Sequence, residues 1–502
     1  MNTSAIIIGG GIGGLFTGAF LSKNGIKVTV LEKNSIIGGG LQCFRRKDKI
    51  FETGMHVMGG FEEGGSLSKI CKYLGILDTL KIHHINSQCM DEIRYEKTQE
   101  VFKIPSGKEA FIDKMSEYFP HEADGIRKYV DEIYRLTEEV PLFYLKKEPQ
   151  GIVIHSDEFI WPADKLISHF ISDKKLQEIL AYLNPLYGGV EGHTPAYIHA
   201  LINVLYINGA SRFIDGSQQL ADALKCVINA HGGEVISNCE VTRIEVNEKK
   251  VDFVETSNGD RFYGDWYISS IHPLEMIKMV PPGTFLKGFI TRLNEIPNSY
   301  SAFSLFIDLK PQTLPYIDHT CYYMEDFGSM WTQDKFDGDN WPQGFMYMTP
   351  PDSNQGEFAT RLLVHCIMSY EQVKKWENTT VGHRGKSYNA WREDCVNKIL
   401  DKLSNVFPGF RDMVANVYAA SPLTIRDYYH TKEGAIFGYR KDCENLIFSQ
   451  LPVYTKVKNL LLTGQNINLH GICGVPLTAI NTSEAILGTN TLVNQINNAQ
   501  KD

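Results

Sequence analysis

Residues 5–32 read AIIIGGGIGGLFTGAFLSKNGIKVTVLE, and this stretch decides the fold. The apolar run over residues 5–8 is typical of a strand buried in a parallel sheet, and a glycine cluster follows it. The pattern then predicts a helix over residues 13–24, ended by Gly25, and a second strand over residues 27–31. The stretch therefore predicts a β-turn-α-β unit.

The glycine cluster carries the spacing G-x-G-x-x-G at Gly9, Gly11 and Gly14. In such a turn the first glycine permits the tight bend, and the second lets a pyrophosphate approach the positive end of the helix. The third lets the helix pack closely on the strand. Glu32 ends the next strand, where a carboxylate accepts hydrogen bonds from a ribose. The sequence therefore predicts a dinucleotide-binding site.

Composition limits the alternatives. The 502 residues predict two or three domains, and 43% hydrophobic with 22% charged residues is typical of a globular protein. The net charge of -9 argues against a nucleic-acid partner. The ten cysteines contain no CxxC pair, so reduced thiols are expected rather than a disulfide framework. No cluster of His, Cys and carboxylates has ligand spacing, so no metal is expected.

The pattern of elements predicts a discontinuous organisation. A dinucleotide-binding domain is expected from residues 1–61, 209–280 and 436–502, where buried strands and glycine-punctuated helices recur. Residues 62–208 show helical spacing and are predicted to form a helical insertion or lid. Residues 281–435 mix strands and helices and are predicted to bind substrate. The fold class is thus α/β, a Rossmann-type domain with a mixed α+β substrate domain and a helical insertion.

A second glycine cluster points to FAD rather than NAD. Gly38–Gly40 follow Glu32 by six residues, and residues 51–56 then read FETGMH. This arrangement resembles the flavoprotein superfamily of amine oxidases and carotenoid desaturases, in which a second glycine pair follows the ribose carboxylate. The resemblance implies FAD as the cofactor.

Other segments extend the resemblance. Residues 459–487 (NLLLTGQNINLHGICGVPLTAINTSEAIL) resemble the last flavin-binding segment of the phytoene desaturases, and residues 421–438 resemble the stretch just before it. Residues 213–223 (FIDGSQQLADA) resemble their middle segment. The resemblance implies that Val241 contacts adenine. The runs Glu52–His56 and Thr463–Gln465 resemble those of retinol saturases.

The resemblance implies redox chemistry on a carbon-carbon double bond of an apolar isoprenoid or polyene. Saturation of a retinol-like compound is the leading expectation, followed by desaturation of a carotene and by cis-trans isomerisation. Amine oxidation, with a covalent flavin link at Cys473, and a non-catalytic flavoprotein are the alternatives from other classes.

The predicted site has a cofactor part and a catalytic part. His56 and His470 are the candidate catalytic residues, because alkene reduction needs a proton that an imidazole of near-neutral pKa supplies. The alternative is that each histidine only hydrogen-bonds backbone or cofactor. The predicted cofactor-binding residues are Gly9, Gly11, Gly13, Gly14, Glu32, Lys33, Gly39, Gly40, Gly54, His56, Val241, Gly464, Gln465, Gly474 and Val475.

Partners are predicted from what the sequence contains elsewhere. The sequence contains one G-x-G-x-x-G unit of this kind and no second one, so a built-in NAD(P)H-binding domain is not expected. Electrons are therefore expected from an external donor, a protein partner or the substrate. Residues 140–145 (VPLFYL) precede Lys146 and Lys147; they are expected either to contact a membrane interface or to be core or lid. Residues 1–22 lack Lys and Arg, so they are expected to be folded rather than a secretory signal. A cytoplasmic protein, with peripheral membrane contact as an alternative, is therefore expected.

Overall fold

The computed structural model describes residues 3–54, 56–147, 154–354 and 356–501. Within them the strands are β1 (Ser4–Ile8), β2 (Lys27–Leu31), β3 (Cys43–Arg46), β4 (Lys49–Glu52), β5 (Ile82–His84), β6 (Asp91–Tyr95), β7 (Val101–Ile104), β8 (Ser211–Phe213), β9 (Glu234–Ile236), β10 (Val241–Asn247), β11 (Lys250–Thr256), β12 (Arg261–Phe262), β13 (Trp266–Ser269), β14 (Ser301–Leu309), β15 (Thr320–Met324), β16 (Gly344–Met348), β17 (Arg361–Met368), β18 (Val414–Ala420) and β19 (Leu460–Leu462).

The helices complete this order. They are α1 (Ile12–Lys23), α2 (Ser66–Leu74), α3 (Lys108–Tyr118), α4 (Ala123–Glu138), α5 (Ala163–Phe170), α6 (Lys174–Leu180), α7 (Ala196–Asn208), α8 (Gln218–Ala230), α9 (Pro273–Met279), α10 (Lys287–Glu295), α11 (Gly385–Val406), α12 (Phe410–Met413), α13 (Pro422–Tyr429), α14 (Leu446–Ser449), α15 (Gly471–Leu487) and α16 (Thr491–Asn498).

A five-stranded parallel sheet forms the centre of the dinucleotide-binding part, in the order β19-β13-β1-β2-β9. Its strands come from the three chain segments that the sequence assigns to this domain, although the domain boundaries themselves stay a prediction. Ile7 lies opposite Val30 on one side and Ile268 on the other. Helices α8 and α15 pack against α1, which is buried along most of its length. The predicted β-turn-α-β unit is confirmed.

The alternation of residues 261–268 predicts one strand, but this stretch forms two strands in different sheets. β12 continues an antiparallel sheet with β11, whereas β13 enters the central parallel sheet. Gly264 lies between these two strands, and a Cβ there would lie 3.0 Å from the Ile6 side chain. Glycine therefore allows the connection to pass close to β1.

A seven-stranded sheet in the order β18-β14-β17-β16-β15-β6-β7 forms the second layer. Successive side chains along each strand point to opposite faces of this sheet. Leu305 and Val364 pack on the face that carries α11. Phe306 and His365 lie on the opposite face, where Phe306 contacts Phe51 of the dinucleotide-binding part. This second face therefore covers the region between the two sheets.

Residues 62–208 are less uniformly helical than the sequence suggests. Helices α3 to α7 lie in this segment, but β6 and β7 leave it and extend the seven-stranded sheet. β6 pairs in parallel with β15, more than 200 residues later in the chain. Such long-range pairing has no local sequence signal, because parallel partners are joined only through distant connections.

The stretch 140–145 is core rather than exposed apolar surface. Leu142, Phe143 and Leu145 are 4%, 8% and 1% exposed, and the Tyr144 hydroxyl lies 2.6 Å from Thr137 Oγ1. Lys146 pairs with Glu138 rather than standing free. The structure therefore favours the core-or-lid alternative for this stretch, since the side chains expected to enter a membrane interface are already buried. Among the described residues, no helix combines the length and the apolar character that crossing a membrane requires.

Candidate functional site

The glycine turn after β1 is closed by two contacts that only glycine allows. Gly9 has a φ of +101°, a conformation that L side chains rarely adopt, and its N–H donates to the Leu31 carbonyl. A Cβ on Gly14 would lie 2.0 Å from the Gly9 carbonyl oxygen, and one on Gly13 would lie 2.8 Å from the Cα of Gly464. These glycines therefore let α1 pack against the turn and against the C-terminal segment.

Gly11 differs from its neighbours because it faces open space. A Cβ there would meet nothing within 4 Å, and the same is true of Gly40. A Cβ on Gly39 would lie 3.3 Å from the Cα of Gly11, and the Gly38 N–H donates to the Gly10 carbonyl at 2.7 Å. The two glycine clusters thus lie side by side and border a groove at the start of α1. The described first turn of α1 carries no acidic side chain, so its N–H groups can bind an anion.

Glu32 is fixed at the edge of this groove. It is 6% exposed, and its Oε2 accepts a hydrogen bond from the Gly10 N–H at 2.8 Å. Its Oε1 accepts one from the Asn34 N–H, also at 2.8 Å. Each carboxylate oxygen can accept a second hydrogen bond, so a ribose hydroxyl can still be bound.

The other residues predicted around the nucleotide lie at different positions. Val241 is buried in one apolar cluster with Ile8 and Leu31, beside the carboxyl ends of β1 and β2. Lys33 is half-buried, and burial is the main cause that lowers its pKa. Gly54 lies against the second glycine cluster, because a Cβ there would be 3.2 Å from the Gly40 carbonyl.

The C-terminal residues are divided between the groove and the core. Gly464 follows β19 and touches Gly13, and Gln465 next to it is half-buried. Gly474 and Val475 lie inside α15 instead: a Cβ on Gly474 would be 2.7 Å from that of Leu469, and Val475 is buried. Close packing therefore accounts for Gly474 and Val475, and their predicted cofactor contact stays a prediction.

An apolar cavity of about 60 Å³ lies at the start of α15. Helix α7 supplies much of its wall, and Phe143 closes one side. His470, the residue before α15, also lines it; the ring is 6% exposed and its Nε2 has no hydrogen-bond partner among the described residues. Burial first, and then nearby Lys441, lowers the pKa of His470 to about 3.

His56 is also buried, 8% exposed, and its ring stacks on His365 with centroids 4.0 Å apart. Burial, and then the charge of Arg212, lowers its pKa to about 3. The expectation of a near-neutral imidazole pKa is therefore wrong for both His56 and His470, because neither ring is hydrated enough to hold a charge. Their catalytic roles stay predictions, as neutral imidazoles.

A buried charged cluster near His56 was missed from the sequence. Glu52, Arg212 and Arg361 are 4%, 1% and 4% exposed. Burial raises the pKa of Glu52 to about 8, although Arg361 and Arg212 oppose the shift. These residues come from β4, β8 and β17, which no local spacing connects. The available signals were Glu52, inside the run of residues 52–56, and the two arginines, each in a largely buried strand.

Among the described residues, two groups of His, Cys, Asp or Glu side chains lie close enough together to hold a metal ion. Glu92 of β6 lies close to Cys321 of β15 and to His319, the residue before β15, and His193, Asp442 and Glu444 form the second group. Arg94 pairs with Glu92, and burial raises the pKa of the Cys321 thiol. The sequence did not reveal either group, because their members are brought together only by the fold.

Comparisons with known proteins extend these observations. A family model described as an NAD(P)-binding Rossmann-like domain matches residues 7–74. Human all-trans-retinol 13,14-reductase is 25% identical, over 97% of this chain and 85% of its own length. Prolycopene isomerase 2 from an Oncidium hybrid cultivar is 24% identical, over 86% of this chain and 74% of its own.

A solved structure of a putrescine oxidase triple mutant superimposes with a TM-score of 0.65 at 13% identity, covering 97% of this chain and 99% of that one. This likeness concerns the fold. Together the matches confirm the predicted Rossmann-type α/β fold and the predicted relationship to retinol saturases and carotenoid isomerases.

Proposed function

We propose that this chain, a relative of the retinol saturase and carotenoid isomerase flavoproteins, binds FAD and reduces a carbon-carbon double bond of an apolar isoprenoid or polyene. The observation that carries the proposal concerns one short segment, which contacts both the second glycine cluster and a residue of the cavity wall. Gly54 packs on the second glycine cluster, and the carbonyl of Val57 accepts the hydroxyl of cavity-lining Tyr206 at 3.1 Å. This segment thus connects the groove to a residue of the cavity wall.

The residues of the groove fit FAD. Gly11 and Gly40 leave the space that a pyrophosphate needs, and the N-terminus of α1 offers unpaired N–H groups to it. Glu32 is held by Gly10 and Asn34 with acceptor capacity left for ribose. When bound, FAD supplies hydride transfer, which none of the twenty side chains provides. Electrons then come from an external reductant.

The cavity fits part of an apolar chain. Ile198, Leu201 and Leu205 of α7 face Leu469 and Ile472 across it. Burying apolar surface against such walls contributes on the order of 25 cal/mol per Å². A substrate without charge is therefore favoured here, and water is excluded from the reacting bond.

Isomerisation of a polyene is the second candidate function. It is favoured by the match to a prolycopene isomerase over 86% of this chain. Amine oxidation through a covalent link at Cys473 gains no support from the geometry, because the Cys473 thiol is buried and donates to the Gly59 carbonyl at 3.0 Å.

The proposal is tested by anaerobic flavin spectroscopy. Protein loaded with FAD is reduced chemically and then mixed with a retinol, a carotene, an unsaturated fatty acid or an amine. Reoxidation by an alkene, with a saturated product, is expected. Bleaching of the oxidised protein by an amine would instead identify an amine oxidase, and a changed double-bond geometry without net redox would identify an isomerase.

Replacing Glu32 by alanine is expected to weaken FAD binding by about 1–3 kcal/mol, because the ribose hydroxyls lose a buried acceptor. Titration of apoprotein with FAD measures the effect. Glu32→Gln is the matched control, since it keeps one acceptor oxygen and the side-chain length. Equal affinity of the alanine variant and the wild type would show that Glu32 does not bind the ribose.

Enlarging Ile202 to phenylalanine is expected to lower the affinity for an apolar alkene about tenfold or more, because the ring fills space that the substrate needs. Ile202 is a half-buried part of the cavity wall, so the larger ring is tolerated better there than in the core. Substrate dependence of flavin reoxidation measures the effect. Ile202→Leu, with the same volume, is the control, and FAD content stays unchanged in both variants. Unaltered substrate affinity in Ile202→Phe would place the substrate elsewhere.

A further inference from the structure

A set of buried polar side chains lies on the wall between the two sheets. Glu52 ends β4, His56 follows four residues later, and His365 stands in the middle of β17. The Glu52 Oε2 lies 3.8 Å from the His56 Nδ1, and the His56 ring stacks on His365 at an interplanar angle of 18°. His365 Nδ1 lies 2.9 Å from the Ser304 hydroxyl oxygen.

Several atoms of these groups are buried without a partner, and they lie on side chains that contact one another. Glu52 Oε1, His56 Nδ1 and His365 Nε2 have no hydrogen bond among the described residues. Leaving a buried polar atom unpaired costs free energy, so such atoms call for a functional explanation. Three of them on touching side chains indicate a site that exchanges protons rather than a structural network.

We propose that Glu52, His56 and His365 form a buried proton-delivery site, in which the Glu52 carboxylic acid supplies the proton that His56 passes to the substrate. This inference rests on the proposed alkene reduction. His56 acts as the proton-transferring residue, and Glu52 and His365 act through it as positioning residues. Proton transfer between Glu52 and His56 requires their present separation of 3.8 Å to shorten to hydrogen-bond distance.

The proton balance depends on the two nitrogens of the His56 ring, because one donates a proton while the other accepts one. FAD, when bound, would supply a hydride with its two electrons to one alkene carbon, and the other carbon takes a proton from His56 Nε2. His56 Nδ1 takes the proton of Glu52, so the ring stays neutral overall and needs no stable imidazolium. The site is reset when His56 Nε2 takes a proton from water and Nδ1 returns its proton to Glu52. The external reductant, with a second proton from water, makes good the hydride. His365 fixes the plane of the His56 ring by stacking on it.

The surroundings decide whether Glu52 can carry a proton near neutral pH. Arg361 of β17 and Arg212 of β8 favour its ionised form, whereas burial favours the acid and prevails, raising its pKa to about 8. Cys43 of β3 is neutral, because burial raises the pKa of its thiol to about 11. His56 and His365 are neutral as well, because burial lowers both pKa values. Glu52 is therefore the group of this set that holds an exchangeable proton at neutral pH.

The test compares Glu52→Gln, which keeps the shape but loses the acid, with wild type and with Glu62→Gln. Glu62 is a matched control, since burial also raises its pKa but it lies outside this set. Reoxidation of reduced protein by the accepted alkene is measured between about pH 6 and about pH 10. We expect the wild-type rate to fall above pH 8, and Glu52→Gln to be slower by about 10²–10⁴-fold and to lack that fall. Glu62→Gln keeps both.

A second measurement does not depend on turnover. In protein with ¹⁵N-labelled histidine, the His56 ring signals are expected to shift with the titration of Glu52, with a midpoint near pH 8, and to lose this response in Glu52→Gln. Wild-type rate and pH profile in Glu52→Gln, or ring signals that ignore Glu52, would overturn the proton-delivery site. Absence of alkene reduction in wild type, with the coupled ring signals present, would instead reject the proposed function alone.

Discussion

A Gly11→Val protein is expected to fold normally and to contain no FAD. The backbone at Gly11 has a φ of -74° and a ψ of -179°, which valine adopts without strain, and a Cβ there would meet nothing within 4 Å. The isopropyl group would instead occupy the space beside the α1 N-terminus where a pyrophosphate binds. We expect affinity for FAD to fall at least 100-fold, or by about 2.7 kcal/mol.

Gly14→Val is the matched control, because the same side chain then meets the protein rather than the cofactor. A Cβ at Gly14 would lie 2.0 Å from the Gly9 carbonyl oxygen, so this variant is expected to fail to fold. Circular dichroism and thermal unfolding report on folding, and absorbance of released flavin reports on FAD content. A folded Gly11→Val protein with wild-type FAD content would refute the cofactor assignment.

The dinucleotide part was predictable because its signals are local. The unit over residues 5–32 needs a strand, a turn and a helix with fixed spacing, and each is written in consecutive residues. Val241 is consistent with this unit, since it lies beside the ends of β1 and β2. Gly474 was less informative, because a glycine that permits close helix packing and one that borders a ligand look alike in sequence.

The rest of the site depended on pairing across the chain. His365 reaches His56 only because β17 occupies the middle of the seven-stranded sheet, between β14 and β16. A histidine inside an apolar strand predicts burial, but not its partner. The stretch 140–145 was ambiguous for another reason. An apolar run with neighbouring lysines has the same sequence pattern whether it contacts a membrane interface or forms part of a cavity wall. Tertiary contacts alone separate the two.

Replacing Glu52 by glutamine is expected to stabilise the protein at alkaline pH. The folded-state pKa of Glu52 is about 8, against an ordinary value of 4.5, so between these pH values the folded protein holds a proton that the unfolded chain has lost. The wild type therefore loses stability as pH rises, by about 1.4 kcal/mol per pH unit, up to roughly 5 kcal/mol. Glutamine does not titrate, so the variant avoids this loss.

The measured quantity is the difference in unfolding free energy between Glu52→Gln and wild type, from denaturant titrations at several pH values. It is expected to be small near pH 4.5, to rise through the intervening range and to level off above pH 8. The contributions of His56 and His365 cancel, because burial lowers their pKa values and both rings stay neutral in the two folded proteins over this range. Glu122→Gln provides a control of opposite sign: burial raises the Glu122 pKa, but hydrogen bonds from Ser172 and Asp173 outweigh it and lower the pKa.

In that control the glutamine variant is expected to be least stable relative to wild type above pH 4.5, with the difference shrinking in acid. A pH-independent difference for Glu52→Gln would mean that Arg361 and Arg212 keep Glu52 ionised in the folded protein. Glu52 would then have no proton to give, and His56 would need another source. A rising difference instead places an acidic proton 3.8 Å from the His56 ring at neutral pH, where a reduced double bond requires one.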